Sequence, residues 1–408
     1  MDNPIIGGTS SVARTESAAL CRLIRLSCAT LLFLMALLPA ISRAQTQQPA
    51  KPTGSEPTPE PAVQAILAAF EKYEVVGMPE AHGLKDVDDF IFSLIRNPAF
   101  AEKVNDVAVE CGNSLYQPVL DRYIAGEDVP FTEVRKVWRN TTQPMCGASG
   151  FFEQLFPLVR AINQKLPPGK RLRVLAGDPP IDWDQVKNYN ERLKFDRDAV
   201  IASVMEKEVL SKHRKALMLF GTFHLFHGQE INAVSIYEKD YPNLTFVIDE
   251  LGFFDTDLPS LSSSPLATWP IPSIARAKGT RLGALEFGQF VPAQMTIDKD
   301  CTVHYLFPKE PQKPMEDFVD AFLYVGPQDL RLREPLPADI ALDIDYRTEL
   351  RRREALPGLP VGATERLKEI DQAILNSAER PLFVVPKPDI KGMVQSCLDH
   401  KNRSNAPQ

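Results

Sequence analysis

The sequence predicts an α/β protein: a mostly parallel central sheet flanked by helices, with a helical C-terminal extension. Three observations carry that reading. From Ala62 onward, short apolar runs alternate with segments of helical period, the pattern of a sheet whose strands are joined by helices. The chain has 408 residues, 44% of them hydrophobic and 24% charged, which is an ordinary globular balance with ample material for a core. Successive apolar runs also end in an acid or a histidine, as expected where strands empty into a polar crevice. A formal net charge of -7 leaves no electrostatic footprint for nucleic acid.

The first 44 residues stand apart. Arg14, Arg22 and Arg25 precede an apolar run from Leu26 to Ile41, and Ser42-Arg43-Ala44 supplies small residues for cleavage. The run is short for a membrane span but suits the apolar region of a signal peptide. The expectation is an exported protein, periplasmic or secreted, with a retained N-terminal anchor as the alternative. No membrane span is expected beyond that segment. Residues 45–61 hold five prolines among polar residues and read as a flexible tether. Residues 62–335 would form the α/β domain and 336–408 the helical extension.

Within the domain each element has its signal. Ala62–Tyr73 has helical period, and Tyr73–Gly77 is a short β-branched strand before the loop Met78–Gly83. Val87–Ile95 reads as a helix, and Asp106–Val109 as a strand ending in Glu110. Leu115–Ile124 and Gly150–Leu166 are helical, and Arg171–Ala176 is a strand ending at Gly177-Asp178. A long polar helix spans Asp184–His213. The strand Ala216–Phe220 runs into Gly221-Thr222-Phe223-His224, a helix occupies Gln229–Lys239, and the strand Leu244–Ile248 precedes Asp249-Glu250. Phe253–Pro272 is too long for a simple connection and reads as a lid or excursion. Val319–Gly326 is a last buried strand. Arg347–Leu356 and Ala363–Asn376 are C-terminal helices, the arginines of the first forming a solvated face.

Beyond the leader four cysteines remain: Cys111, Cys146, Cys301 and Cys397. They allow two disulfides in three connectivities, or buried free thiols. No CxxC is present, which sets aside a cysteine zinc site.

Chemistry is expected where four predicted strands end: at Glu80 and His82, at Glu110, at Asp178 and at His224. Each position also has a structural alternative. Glu80 can serve the first turn of the next helix. His82 can bond to loop backbone, Glu110 can pair with Arg122 or Arg139, and Asp178 in Gly-Asp-Pro-Pro can simply make a turn. His227 lies three residues after His224, but an HxxH pair alone is weak. His213, His304 and His400 read as surface or structural. There is no G-x-S-x-G, HExxH, P-loop or GxGxxG motif. Two histidines with two or three carboxylates can activate water, bind a divalent metal or ligate a haem iron. Sequence alone does not choose among these, and Glu80, His82, Glu110 and His224 are the metal candidates.

The residues carry a family resemblance. Val76-Gly77-Met78-Pro79-Glu80-Ala81-His82-Gly83 resembles the G-E-x-H signature of the Tiki/ChaN/erythromycin-esterase-like superfamily. Val109-Glu110-Cys111-Gly112-Asn113, with Tyr116 to Tyr123 and Gly126, is similar to the second acidic motif of its haem-uptake ChaN branch. Leu219-Phe220-Gly221-Thr222-Phe223-His224 resembles the later strand-plus-histidine motif, and Val319 to Val325 the closing strand. The resemblance spans about residues 65–330. It implies an α/β fold with an acid and histidine cluster at one end of the sheet, made of Glu80, His82, Glu110 and His224. In the esterase branch a histidine activates water, in the Tiki branch the cluster binds metal and cleaves peptides, and in the ChaN branch the protein binds haem or iron. Met78-Pro79 stands where the family's Gly is followed directly by Glu, a change that would displace Glu80.

The expected function is thus an exported hydrolase of an ester or related bond. A small molecule or peptide would be the substrate, with His82 as base, Glu80 and Glu110 orienting it, and His224 at the leaving group. The alternative is a non-catalytic haem- or iron-binding protein of the ChaN type.

Overall fold

The structure is a computed structural model that describes residues 54–251, 265–287, 295–297, 300–305, 313–327, 330–358, 372, 374–375 and 390–404. The predicted leader, most of the predicted excursion and the predicted helix at Ala363–Asn376 lie largely or wholly outside them.

In chain order the first half runs β1 (Glu60–Pro61), α1 (Ala62–Ala69), β2 (Val75–Pro79), α2 (Lys85–Arg96), α3 (Pro98–Lys103), β3 (Asp106–Asn113), α4 (Gln117–Ala125), α5 (Phe131–Arg139) and α6 (Gly150–Asn163). The second half runs β4 (Arg173–Asp178), α7 (Arg197–Glu208), β5 (Ala216–Phe220), α8 (Ala233–Tyr237), β6 (Thr245–Glu250), β7 (Ser273–Arg276), β8 (Met295–Ile297), β9 (Val303–Tyr305) and β10 (Ala321–Tyr324). Two helices, α9 (Ile344–Glu354) and α10 (Ile390–Ser404), lie in the C-terminal part.

Eight strands make one sheet in the order β1-β7-β10-β6-β2-β5-β3-β4, and β8 pairs with β9 separately. The six strands from β10 to β4 are parallel; β7 runs antiparallel beside β10, and β1, antiparallel to β7, runs with the six. The predicted α/β class is therefore the observed one. A parallel sheet buried on both faces explains why its strands read as unbroken apolar runs. Val76, Met78, Val107, Val109, Leu217 and Leu219 pack on one face with α1 to α6. Their neighbours Val75, Ala108, Ala216, Met218 and Phe220 point the other way and meet α7 and α8.

Several sequence expectations are corrected. The strands β2, β3, β4 and β6 run further than predicted: β2 includes Met78 and Pro79, and β3 passes Glu110 to reach Asn113. The single helix predicted over Asp184–His213 is broken. Asn188 and Glu191 form a reciprocal cap on a short 3-10 turn, Tyr189–Lys194. Asp196 then caps a fresh start at α7 by accepting from the Ala199 N–H at 3.1 Å. Upstream, Ile181, Trp183, Val186 and Tyr189 turn inward as a small separate core. The helix predicted over Gln229–Lys239 shortens to α8 because Asn232 caps it. The end of the presumed tether is docked, since β1 pairs with β7.

The arginines of α9 also differ from expectation. Arg353 is buried, donates to the Arg139 carbonyl and lies 4.4 Å over the Trp183 ring, while Arg352 donates to the Trp183 carbonyl. Their donors satisfy carbonyls at the end of α5 and in the segment after β4, so only part of that helix is a solvated face. All four cysteines are paired: Cys111 with Cys146, and Cys301 with Cys397. The buried free thiols that the sequence allowed are set aside.

The outer strand β4 is finished by a side chain. Gln117 at the start of α4 donates to the Val174 carbonyl at 2.8 Å and accepts from the Ala176 N–H at 2.7 Å, as a further strand would. No helix among the described residues is long and apolar enough to cross a membrane.

Candidate functional site

Because β2, β3, β4, β5 and β6 are parallel neighbours, their carboxyl ends open at one edge, where Glu80, Glu110, Asp178, Gly221 and Glu250 emerge together. The opposite edge is structural. There Asp106 is fully buried and bound by Arg173 and Arg214, and His213 meets Glu74 at 3.0 Å.

Glu80 follows β2 directly, and its N–H donates to the Phe220 carbonyl, so Met78-Pro79 leaves it in the sheet's register. His82 and Gly83 then take positive φ angles of 40° and 102°, turning the chain back within two residues. The turn brings His82 Nδ1 to 2.6 Å from Glu80 Oε2, an ion-pair contact off the line of a hydrogen bond. The His82 N–H donates to Glu80 Oε1 at 3.2 Å. On β3 the register shifts between Val109 and Asn113, and Glu110 falls in that irregular stretch. Its Oε2 accepts from the Gly221 N–H at 2.5 Å and its Oε1 from Arg197 at 3.0 Å. A side chain at position 221 would press on Glu110 at 3.1 Å and on His82 at 3.4 Å, so glycine keeps that approach open.

His224 ends the 3-10 turn Thr222–His224 after β5. Its Nδ1 lies 2.7 Å from Asp198, which is itself held by the Ala233 N–H. Its Nε2 is 3.5 Å from Glu110 Oε1, and His82 Nε2 is 3.5 Å from Glu110 Oε2. The site thus holds two imidazoles, each backed by a carboxylate, facing opposite oxygens of a shared third. Arg197 knits the cluster from behind: it donates to Asp178 at 2.8 Å and to Glu110, and lies 3.2 Å from His224 Nε2. Asp178 also accepts from the Thr142 N–H and hydroxyl. It therefore anchors Arg197 and does not line the cavity. Glu110 pairs with Arg197, not with Arg122 or Arg139.

Burial resists charge on His82, His224 and Glu110, but the pairing overrides it. His82 is pushed well above the usual imidazole range because Glu80 and Glu110 outweigh its desolvation. His224 rises to about 9, as Asp198 and Glu110 outweigh the same cost. Glu110 is held well below the usual carboxylate range, its burial being offset by His224 and His82.

The cluster lines a cavity of about 260 Å³ together with Thr222, Phe223, Asp249 and Glu250. Four functional groups escaped the sequence reading. Asp249 and Glu250 close β6 as the others close theirs, and the strand-end criterion would have found them. Arg197 and Asp198 lay inside the overlong predicted helix, where the Asp196 cap was the available signal. His227 belongs elsewhere, between Glu238 and Asp320. The side chains of His304 and His400 lie outside the described residues.

The donor set does not fit the suggested cofactors as it stands. An ion bridging His224 and Glu110 would compete with the Arg197 guanidinium, a fixed cation already on both. Cys111 lies within 4.8 Å of the ligand atoms of Glu80 and His82, but in its disulfide it offers no thiolate. For haem, the described cavity falls below the roughly 300–1,000 Å³ usual for drug-sized ligands.

No family model matches the chain, and no curated protein matches it. Among solved structures the chain is similar to a Bacillus cereus protein at 10% identity, covering 66% of this chain and 94% of that one, with a TM-score of 0.41. It is similar to a succinoglycan biosynthesis protein at 9% identity, again over 66% and 94%, with a TM-score of 0.42. It is also similar to ChaN of Campylobacter jejuni, whose structure shows cofacial haem binding, at 14% identity over 48% and 88%, with a TM-score of 0.29.

Proposed function

We propose that the protein is an exported hydrolase of an ester or related bond, with a small molecule or peptide as substrate. The observation that carries this reading is the pair of carboxylate-backed imidazoles, His82 with Glu80 and His224 with Asp198, facing Glu110 across one cavity. A carboxylate behind Nδ1 fixes ring orientation and stabilises the imidazolium. Pairing with carboxylates favours the protonated form of both rings, which suits both as donors. This revises the sequence assignment of His82 as base. His82, the more exposed at 28%, donates to the carbonyl oxygen as negative charge builds there. His224 donates to the leaving oxygen. Glu110 and Arg197 hold the rings at their spacing. Two disulfides support a site of action in an oxidising compartment.

The test compares the chain from Gln45 with His82→Ala and His224→Ala on an alkyl ester and on p-nitrophenyl acetate. His82→Ala should lower kcat about 10²–10³-fold on both esters, the usual cost of one oxyanion donor. His224→Ala should hurt the alkyl ester far more, because p-nitrophenolate leaves without a proton. Elemental analysis and a visible spectrum of protein purified without chelator complete the test. A stoichiometric divalent metal or a Soret band, lost in either variant, would replace this reading with a metal or haem protein.

A further inference from the structure

In that reading the two imidazoles donate to the substrate, and Glu110 already accepts from Gly221 and Arg197. A water attacking a carbonyl still needs somewhere to put its proton. We infer that Asp249 is the proton acceptor of this cavity, an inference that rests on the hydrolase reading.

The geometry singles it out. Asp249 lies at the carboxyl end of β6, is 1% exposed and lines the same cavity as Glu80, His82, Glu110 and His224. One oxygen, Oδ1, is fixed by the Thr222 hydroxyl at 3.2 Å and the Glu250 N–H at 2.9 Å. The other, Oδ2, is buried without a hydrogen-bond partner among the described residues. Its neighbours in the cavity wall are spoken for: Glu80 by His82, and Glu250 by the buried Arg331. A buried carboxylate oxygen without a donor is costly and persists where something else supplies the proton. Burial lifts this carboxyl to about 7, against the pull of the Glu250 N–H and Thr222, which suits proton transfer near neutrality.

The step balances. Asp249 Oδ2 takes one proton of the water as its oxygen bonds to the carbonyl carbon, and the carbonyl π pair moves to oxygen beside His82. When the tetrahedral adduct collapses, the carbon–oxygen bond to the leaving group breaks and His224 protonates that oxygen. The product acid returns a proton to His224, and Asp249 releases its own to solvent. Ester and water become carboxylate, alcohol and one proton.

Asp249→Asn keeps the shape and the Oδ1 contacts. In the chain from Gln45 it should lower kcat on p-nitrophenyl acetate about 10²–10⁴-fold, with KM within about twofold of wild type. The acid limb of the wild-type pH profile, near 7, should vanish. A ¹³C-carboxyl aspartate signal absent from the folded variant's spectrum should titrate near 7 in the wild type. Wild-type kcat in the variant, or an Asp249 signal titrating in the ordinary carboxylate range, overturns the inference and leaves the hydrolase reading intact. A wild type that hydrolyses neither p-nitrophenyl acetate nor an alkyl ester overturns the hydrolase reading, and the role of Asp249 with it.

Discussion

Arg197 touches Asp178, Glu110 and His224 at once, and it is the residue on which the site's electrostatics turn. Asp178 is fully buried and Glu110 nearly so, hence removing the guanidinium strands two carboxylates in low dielectric. Arg197→Ala should cost about 3–5 kcal/mol, the usual penalty for breaking a buried pair from one side. Arg197→Lys should recover only part of it, because an ammonium cannot span three partners as a planar fork does. Urea unfolding of both variants decides the matter, and a loss under about 1 kcal/mol would remove Arg197 from this role. Nothing local in the sequence announces the residue: 87 positions separate it from Glu110. Glu80, Glu110 and His224 were legible because each follows an apolar run. Asp249 satisfied the same criterion after Leu244–Ile248 and was passed over.

At the scale of elements, the short parallel strands were legible because both of their faces are buried, which leaves apolar runs bounded by turns. Their true ends were not, since Met78-Pro79 and the stretch from Glu110 to Asn113 look like loop while lying in the sheet. The amphipathic α5 was missed altogether. Phe131, Val134, Val137 and Trp138 make its stripe, and Pro130 and Pro144 give loop signals on either side. This helix leads into the loop that holds Asp178 through Thr142, and Cys146 fastens that loop to β3 beside Glu110. Replacing Cys111 and Cys146 together by serine opens a cross-link spanning 35 positions and should cost about 3–4 kcal/mol. It should also lower kcat, because Glu110 and the Asp178–Arg197 anchor lose their common tie. A double variant as stable and as active as wild type would show the disulfide to be incidental.

For the molecule as a whole, the raised groups His224, His227 and Glu334 tilt stability in one direction between pH 6.5 and 9. Burial resists charge on His227, yet Asp320 and Glu238 raise it to about 9. His224 behaves alike. A folded pKa above the unfolded 6.5 means stability fully present below pH 6.5 and lost as pH climbs to about 9. Glu334 pulls the same way from lower pH. Burial and the charge of Glu80 hold its carboxyl up at about 8, so the folded state binds more protons between about 4.5 and 8. The melting temperature should therefore fall steadily from pH 6.5 to 9, and His227→Gln should flatten part of that slope. A melting temperature that holds level or rises across this window would contradict the pairing of these histidines.

The two ends of the sheet complete the picture. Gln117 answers the backbone of β4 with its amide, and at the far side β1 is two residues long and ends in proline. An open β edge is a template on which another chain can pair. Here one rim is already answered by an amide and the other stops too soon to be copied. Among the described residues the sheet therefore offers only short stretches of free rim, and neighbouring molecules that collide in a crowded solution find little ladder there to extend.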